Sequence, residues 1–206
     1  MVRARLILSL VLLVWSAAAA TAQTALPALF DVANVASDDV LNIRAAPSSG
    51  APIVGALSFA ARNVEVVETS ADGRWGRVNT GEQSGWAHLS FLSRVPGQPD
   101  SDLPQPLTCF GTEPFWSLTL EAGEAGLSTP GDVVGFDILT TQRASGRTDR
   151  YSFIATQVLR DLHGVVRREM CNDGMSDRAY GLDVDLIVLR GGQAVQLSGC
   201  CSVALQ

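Results

Sequence analysis

The stretch Tyr180–Val188, with the sequence YGLDVDLIV, carries the longest alternation of apolar and other residues in the chain. Apolar side chains recur at every second position, and Asp183 and Asp185 fall between them on the opposite face. A two-residue period is typical of a β-strand with one buried face. The pair Gly191-Gly192 suits a two-residue hairpin turn, so a return strand is expected at 194–201. This hairpin predicts antiparallel β-structure at the end of the chain.

Similar patterns extend this structure back to residue 107. The segment Trp116–Leu120 alternates in the same way. Strands are also expected over 133–139 and 151–156, separated by the Gly- and Thr-rich segment 140–149. No long helical period interrupts them. Residues 107–206 are therefore expected to form an antiparallel β barrel or sandwich.

A second set of short alternating segments lies between residues 30 and 95. Turns rich in Gly, Pro, Asn and Asp separate the strand candidates, which are 40–44, 53–57, 64–66, 75–78 and 85–87. Five short strands in about 65 residues suit a small closed barrel. The predicted fold class is all-β, with two modules.

Several motifs of the first module occur in a characteristic order. They are Leu41–Ser48 (LNIRAAPS), Val54–Leu57 (VGAL), Gly73–Val78 (GRWGRV), Ser84–Ala87 (SGWA) and Phe91-Leu92. Residues 30–95 thereby resemble the bacterial SH3 family, whose members are small β-barrels of envelope proteins and neighbours of cell-wall hydrolases. The resemblance implies contact with peptidoglycan or its peptides. Both tyrosines of the chain lie outside this module, so a tyrosine-lined groove for proline helices is not expected.

Four residues of the SH3-like module are candidates for ligand contact: Asn42, Arg44, Trp75 and Trp86. Arg44 lies on the face opposite the apolar residues of its strand, which suits either simple solvation or recognition of a carboxylate. Trp86 is expected in the core or half-buried, and Trp75, near a hairpin, is expected to be more exposed. Either ring could stack on a ligand. His88 is the module's only histidine, so no shared metal site is expected there.

Composition marks the two ends of the first module. Residues 1–22 combine Arg3 and Arg5 with an apolar run and small residues ending at Ala22. This pattern predicts a cleaved export signal, because the apolar run is shorter than the ~20 residues of a membrane span. Residues 96–106 contain four prolines and predict an extended, semi-rigid linker. The expected location is the periplasm or the medium, with no membrane span after signal cleavage.

Three separated motifs mark the second module. They are Glu113-Pro114-Phe115-Trp116, Cys171–Arg178 (CNDGMSDR) and Gly199-Cys200. Over residues 107–203 they resemble an uncharacterised family of bacterial envelope proteins with G-x-E-P-F-W and C-x-D-x-M-S motifs, a resemblance that implies no activity. The ligand-contact candidates of this module are Glu113, Asp173, Ser176, Asp177 and Arg178.

The sequence does not favour catalysis. His163 is the only histidine of the second module and stands in an apparent turn, and no G-x-S-x-G motif is present. Glu113, Asp173 and Asp177 could supply a carboxylate pair, but Asp-Gly and Ser-Asp are ordinary turn sequences. The segment 172–177 offers too few oxygen ligands for a calcium loop. No catalytic residue, metal site or cofactor is therefore predicted.

Composition excludes further functions. The 206 residues include 15 arginines and no lysine, which rules out a lysine Schiff base and a P-loop lysine. A net charge of −6 argues against general binding of nucleic acid. The apolar fraction of 47% is enough to build a core, which argues against disorder.

All four cysteines lie in the second module and are predicted to form two disulfides. An even number of cysteines in a small exported domain is typical of a disulfide framework. Zinc is the alternative, but the adjacent Cys200 and Cys201 cannot readily chelate one tetrahedral ion. Disulfides are therefore the favoured interpretation.

The hairpin register indicates which cysteines pair. A two-residue turn sets Cys200 opposite Asp183 on the outer face and Cys201 opposite Leu182 on the inner face. Cys109 precedes a strand that starts its buried face at Trp116, so it is expected to reach inward. A bulge would exchange the faces. The predicted pairs are Cys171–Cys200 and Cys109–Cys201.

These observations predict an exported binding protein of the cell envelope. The SH3-like module would contact peptidoglycan or cell-wall peptides, and the second module would offer another surface, for which another envelope protein is a candidate partner. One alternative is an envelope hydrolase that the SH3-like module targets to its substrate. Another is a secreted interaction or inhibitor protein whose binding surface lies in the second module.

Overall fold

The computed structural model describes residues 25–98 and 100–204, so the predicted export signal lies outside the described residues. The first module holds β1 (Ala28–Val32), β2 (Val40–Arg44), β3 (Ile53–Ser58), β4 (Val64–Val66), β5 (Glu68–Thr69), β6 (Trp75–Thr80), β7 (Gln83–His88), a 3-10 helix (Leu89–Phe91) and β8 (Leu92–Arg94). The second module holds β9 (Leu107–Thr112), β10 (Phe115–Glu121), β11 (Glu124–Thr129), β12 (Asp132–Arg143), β13 (Arg150–Gln157), β14 (Arg160–Arg167), β15 (Leu182–Arg190) and β16 (Gln193–Ser202). The described residues contain no α-helix, and the all-β prediction is confirmed.

The strands of the first module form two antiparallel sheets. One sheet has the order β4-β1-β8, and the other has the order β3-β2-β7-β6-β5. The predicted strands correspond to β2, β3, β4, β6 and β7, whereas the sequence pattern misses the short strands β1, β5 and β8. Buried apolar side chains from both sheets form a small core: Val32, Leu41, Ile43, Val66, Val78, Ala87 and Leu92.

The second module is a closed antiparallel barrel of eight strands, which decides between the predicted barrel and sandwich. The strand order is β10-β11-β12-β13-β14-β15-β16-β9, so the first and last strands of the module are neighbours. Large side chains fill the interior, as is usual for a barrel of this size. The most deeply buried include Leu118, Tyr151, Phe153, Leu162 and Leu186. Binding sites are therefore expected at the ends and on the outer surface.

The β15–β16 hairpin forms as predicted. Arg190 pairs with Gln193 across the turn, and both turn glycines have positive φ angles, 56° at Gly191 and 81° at Gly192. Such angles favour glycine over residues that carry a Cβ. Tyr180 differs from the prediction because it precedes β15. Its backbone instead pairs with Cys171 in an isolated bridge, which redirects the chain before the strand begins.

The predicted strand 133–139 and the predicted loop 140–149 have different boundaries in the structure. Strand β12 continues to Arg143, well into the expected loop 140–149, and a register shift lies between Ile138 and Thr140. A bulge lets one strand bend around the barrel without losing its neighbour. The period of two breaks at this bulge, and the sequence pattern therefore ends too early.

The prediction that His163 stands in a turn is wrong. His163 lies inside β14 and is paired with Ile154 and Ile187 on the two neighbouring strands. The adjacent Gly164 suggested a turn, but this glycine makes room for the ring of Phe153, which occupies the space of a Cβ atom.

The proline-rich segment packs against both modules. The side-chain amide of Gln98 accepts a hydrogen bond from the N–H of Leu29 at 2.7 Å and donates one to its carbonyl at 2.9 Å. Arg94 pairs with Asp100 at 2.7 Å, and Leu103 is buried in the core of the barrel. The segment therefore holds each module at a defined point.

Direct hydrogen bonds also join the two modules. The side-chain amide of Asn79 donates to the carbonyl of Ala179 and accepts from its N–H, both at 2.9 Å. The N–H of Asp177 donates to the carbonyl of Glu82 at 2.9 Å. The loop 171–178 thus lies between the SH3-like module and one end of the barrel.

Candidate functional sites

A groove of about 510 Å³ on the SH3-like module brings together three of its four predicted ligand-contact residues. The walls of this groove, called the SH3 groove below, include Asn42, Arg44, Trp75, His88 and Phe91. Trp75 packs edge-on against His88 with ring centroids 5.0 Å apart, and the centroids of His88 and Phe91 are 6.0 Å apart. The groove therefore combines an aromatic row with one cation.

The expectation of an exposed Trp75 is wrong. Its exposed fraction is only 6%, because it starts β6 directly opposite His88 and packs against that ring. Trp86 is half-buried as expected. It lies opposite Arg44 and Arg77 in the sheet and is not among the residues that line the SH3 groove.

Arg44 is held in place by one hydrogen bond, and its other side-chain donors have no partner among residues 25–98 and 100–204. One terminal nitrogen, Nη1, donates to the carbonyl of Ala51 at 2.8 Å. No described carboxylate lies within ion-pair distance of its guanidinium. A guanidinium anchored on one side suits two-point recognition of a carboxylate.

His88 and Ser90 form a local cap at the start of the 3-10 helix. Nδ1 of His88 lies 2.8 Å from Oγ of Ser90 and accepts a hydrogen bond from its backbone N–H. Among the described residues, no carboxylate within ion-pair distance orients the other ring nitrogen. The pair therefore caps the 3-10 helix, and the part of the chain that the structure describes supplies no carboxylate as a third member of a nucleophilic triad.

A second cleft, of about 620 Å³, lies where the barrel end meets the SH3-like module. This inter-module cleft joins two motifs that are distant in sequence, because Phe115 and Trp116 come from β10 and Met175 and Arg178 come from the loop 171–178. Glu82 of the β6–β7 turn completes it from the SH3-like side. The remaining walls are Phe110, Gly111, Thr112, Ser117, Ser128, Thr129, Pro130, Asp173, Ser176 and Tyr180.

Asp173 organises the loop 171–178. Its carboxylate accepts hydrogen bonds from the N–H groups of Met175 and Ser176, both at 3.0 Å, and from the Ser176 hydroxyl at 2.9 Å. The Tyr180 hydroxyl is a further donor at 3.4 Å. Burial alone would raise the pKa of Asp173, but these hydrogen bonds outweigh it and hold the pKa below its usual value. Asp173 and Ser176 therefore shape the cleft.

Glu113 and Asp177 stand apart from the centre of this site. Both are exposed, and neither lines the inter-module cleft. The backbone of Asp177 instead pairs with the β6–β7 turn, as shown by its bridge to Gln83. The described residues hold no group of three or more His, Cys, Asp or Glu side chains placed to bind a metal ion.

Both predicted disulfides are confirmed. Cys109 and Cys201 are direct partners in the β9–β16 ladder and close the barrel at its seam. Cys200 faces outward opposite Asp183 and is covered by the loop 171–178, to which it is joined through Cys171. The second disulfide therefore fixes the loop that forms one wall of the inter-module cleft.

Sequence reasoning misses Glu65, a buried carboxyl group between the modules. Its two oxygens accept hydrogen bonds from the Ser202 hydroxyl at 2.5 Å and from the Val203 N–H at 2.9 Å. In the sequence, Glu65 is the polar residue of an alternating Val-Glu-Val strand and so suggests a solvated face. The partner lies 137 residues further along the chain, and no local signal could reveal it.

The two small sheets of the first module carry a surface groove with an aromatic row and an anchored arginine. Residues 39–93 match the bacterial SH3 domain family. No curated protein and no solved structure matches the chain. No helix among the described residues is long and apolar enough to cross a membrane. The two disulfides and the SH3 domain fit an extracytoplasmic protein.

Proposed function

We propose that this protein is exported and binds cell-wall peptides through the SH3 groove. The observation that carries the proposal is the position of the anchored Arg44 beside the aromatic row of Trp75, His88 and Phe91. The match to the bacterial SH3 domain family supports the same kind of ligand. The predicted export signal at 1–22 and the two disulfides support an envelope location.

The chemistry of the groove suits an acidic peptide. The free N–H groups of Arg44 would donate to a ligand carboxylate, a charge-assisted bond stronger than one between neutral groups. The amide of Asn42 both donates and accepts, so it would pair with a peptide bond of the ligand. The edges of His88 and Phe91 would pack against aliphatic parts of the same peptide.

We also propose that the protein acts by binding and not by catalysis. The hydrogen bond between His88 and Ser90 is the best candidate for a nucleophilic pair, and it is explained by the helix cap. The Asp173 carboxylate is occupied by its own loop, and Glu113 is exposed outside the cleft.

Sedimentation of the mature protein with purified sacculi tests both proposals. The wild-type protein should sediment, and Arg44→Gln should bind about 10-fold more weakly because a charge-assisted contact is lost. Arg190→Gln is the matched control, because this arginine is exposed at the β15–β16 turn of the barrel. Equal binding of Arg44→Gln and wild type would refute the groove assignment. Release of soluble muropeptides from the sacculi would instead assign the protein to the hydrolases.

A further inference from the structure

We propose that the inter-module cleft binds the free carboxyl terminus of a peptide that ends in an apolar residue. This site is separate from the SH3 groove, and its evidence does not rest on the cell-wall proposal. It combines three features that such a ligand requires: an apolar wall, a cation without an ion-pair partner among the described residues, and several hydroxyl groups. Its volume of about 620 Å³ lies within the range of small-ligand sites.

The apolar wall is held rigidly at the barrel end. The rings of Phe110 and Tyr180 meet edge-on with centroids 5.0 Å apart. The indole of Trp116 lies directly on Gly111, in space that any larger residue would occupy. By contrast, Phe115 and Met175 at the rim are 62% and 68% exposed. Exposed apolar side chains beside a fixed aromatic floor are typical of a binding surface.

The cation of the cleft is Arg178, which forms no ion pair with any carboxylate in the described part of the chain. Its Nε atom is buried without a hydrogen-bond partner in the described part of the chain. Its guanidinium makes neither a side-chain hydrogen bond nor an ion pair to a described residue, unlike each other half-buried arginine. It stands 5.6 Å from the centroid of the Tyr180 ring. A buried donor without an acceptor requires a partner, and a ligand carboxylate would supply one.

The two neighbouring carboxyl groups, Asp173 and Glu65, form no ion pair with Arg178. Asp173 is occupied by the hydrogen bonds of its own loop. Glu65 lies in an adjoining cavity that Arg178 also lines, but its oxygens already accept from Ser202 and Val203, and it is beyond ion-pair distance of Arg178. The guanidinium of Arg178 therefore has no ion-pair partner among the described residues and can pair with an incoming anion.

The hydroxyl groups distinguish a peptide from other apolar carboxylates. Thr112, Ser117, Ser128 and Thr129 line one side of the cleft. Hydroxyl groups both donate and accept hydrogen bonds, so they match the amide groups of a peptide backbone. Thr112 and Thr129 already donate to the carbonyls of Asp173 and Asp132, both at 3.4 Å. A fatty-acid chain over Ser117 and Ser128 would separate their hydroxyl groups from water without offering them a partner, at a cost in binding free energy. We therefore assign the cleft to a peptide terminus and use a fatty acid as the test of that choice.

Isothermal titration of the mature protein tests this assignment with three probes. They are N-acetyl-Ala-Ala-Phe with a free carboxylate, the same peptide as its C-terminal amide, and octanoate. The free carboxylate is expected to bind about 10-fold more tightly than the amide, because only the former offers Arg178 a charged acceptor. Octanoate is expected to bind more weakly than the free peptide.

Variants then locate the site. Arg178→Gln should abolish the preference for carboxylate over amide, whereas Arg190→Gln, at the exposed β15–β16 turn, should keep it. Loss of the preference in Arg44→Gln instead would place the binding in the SH3 groove and overturn the proposal. Met175→Ala, at the exposed rim, should weaken both peptides equally and leave their ratio unchanged. Equal binding of carboxylate and amide, an unchanged preference in Arg178→Gln, tighter binding of octanoate, or no binding of any probe would each overturn the proposal.

Discussion

The substitution Glu65→Ala is expected to weaken the contact between the two modules. Strand β4 carries this carboxyl group into the junction, where Ser202 and Val203 at the end of β16 donate to it. Alanine would leave the buried N–H of Val203 without an acceptor and the Ser202 hydroxyl with only the carbonyl of Ala204, at 3.4 Å. An unsatisfied buried donor costs free energy, whereas an exposed one is satisfied by water.

The size of this effect follows from the two hydrogen bonds. Each buried donor that loses its acceptor costs about 1–3 kcal/mol, and relief of the burial cost of the carboxyl group opposes part of that loss. We therefore expect Glu65→Ala to lower the free energy of unfolding by about 2–4 kcal/mol. Glu65→Gln should lower it less, because the amide oxygen retains one acceptor.

The effect should also depend on pH. Burial raises the pKa of Glu65 above its usual value of 4.5, although hydrogen bonds from Ser202 and Val203 act in the opposite direction. The folded protein thus holds this proton more tightly than the unfolded chain does. The resulting stabilisation is present below pH 4.5 and is lost as the pH rises through the folded-state pKa. The stability of wild type relative to Glu65→Gln should therefore fall as the pH rises above 4.5.

Urea unfolding between pH 4 and 8, followed by tryptophan fluorescence and circular dichroism, measures these free energies. Glu169→Gln is the control, because this side chain is exposed and should behave like wild type. A change below about 0.5 kcal/mol in Glu65→Ala would match an ordinary surface substitution and refute the reasoning. A pH profile of Glu65→Gln parallel to that of wild type would refute the titration argument.

Three further substitutions test the barrel by the same unfolding measurement. The double substitution Cys171→Ser and Cys200→Ser removes one disulfide, whose cysteines are 29 residues apart. It should lower the free energy of unfolding by about 3–4 kcal/mol. Equal urea midpoints of variant and wild type would contradict this expectation. Gly199→Ala should lower the free energy of unfolding by about 1–3 kcal/mol, because the added methyl group would overlap the carbonyl oxygen of Phe110. Gly135→Ala serves as the control, because a methyl group there would meet open space. Arg167→Ala removes ion pairs to two aspartates of β15. It should lower the free energy of unfolding by about 1–2 kcal/mol at low salt and by less at 1 M salt, because salt screens ion pairs. An effect independent of salt would argue against this ion-pair role.

Sequence patterns predict those parts of the fold that local physics determines. The alternation in Tyr180–Val188 and the Gly191-Gly192 turn give the register of the last hairpin. That register, together with the inward face expected for Cys109, gives both cysteine pairs. The strand pattern fails where packing overrides it. Gly164 resembles a turn residue but makes room for an aromatic ring inside a strand, and the bulge after Ile138 breaks the two-residue period.

The candidate sites are predictable only in part, because they depend on contacts between distant segments. Asn42 and Arg44 are identified from one strand, and they do line the SH3 groove. Trp75 is misjudged, because its burial depends on the ring of His88 on the next strand. The inter-module cleft is formed by Trp116 and Arg178, which come from different strands and loops. No local pattern indicates that these two side chains lie in one cavity.

The seam of the barrel affects how the protein responds to proteolysis. The exposed Val158-Leu159 turn is a suitable site for cleavage. A cut there would leave Cys109 on one fragment and Cys201 on the other, still joined by their disulfide. Every cut between residues 110 and 170 has the same result, since one of these two cysteines lies on either side of it. A nicked molecule would therefore migrate as one species on a non-reducing gel and as two after reduction.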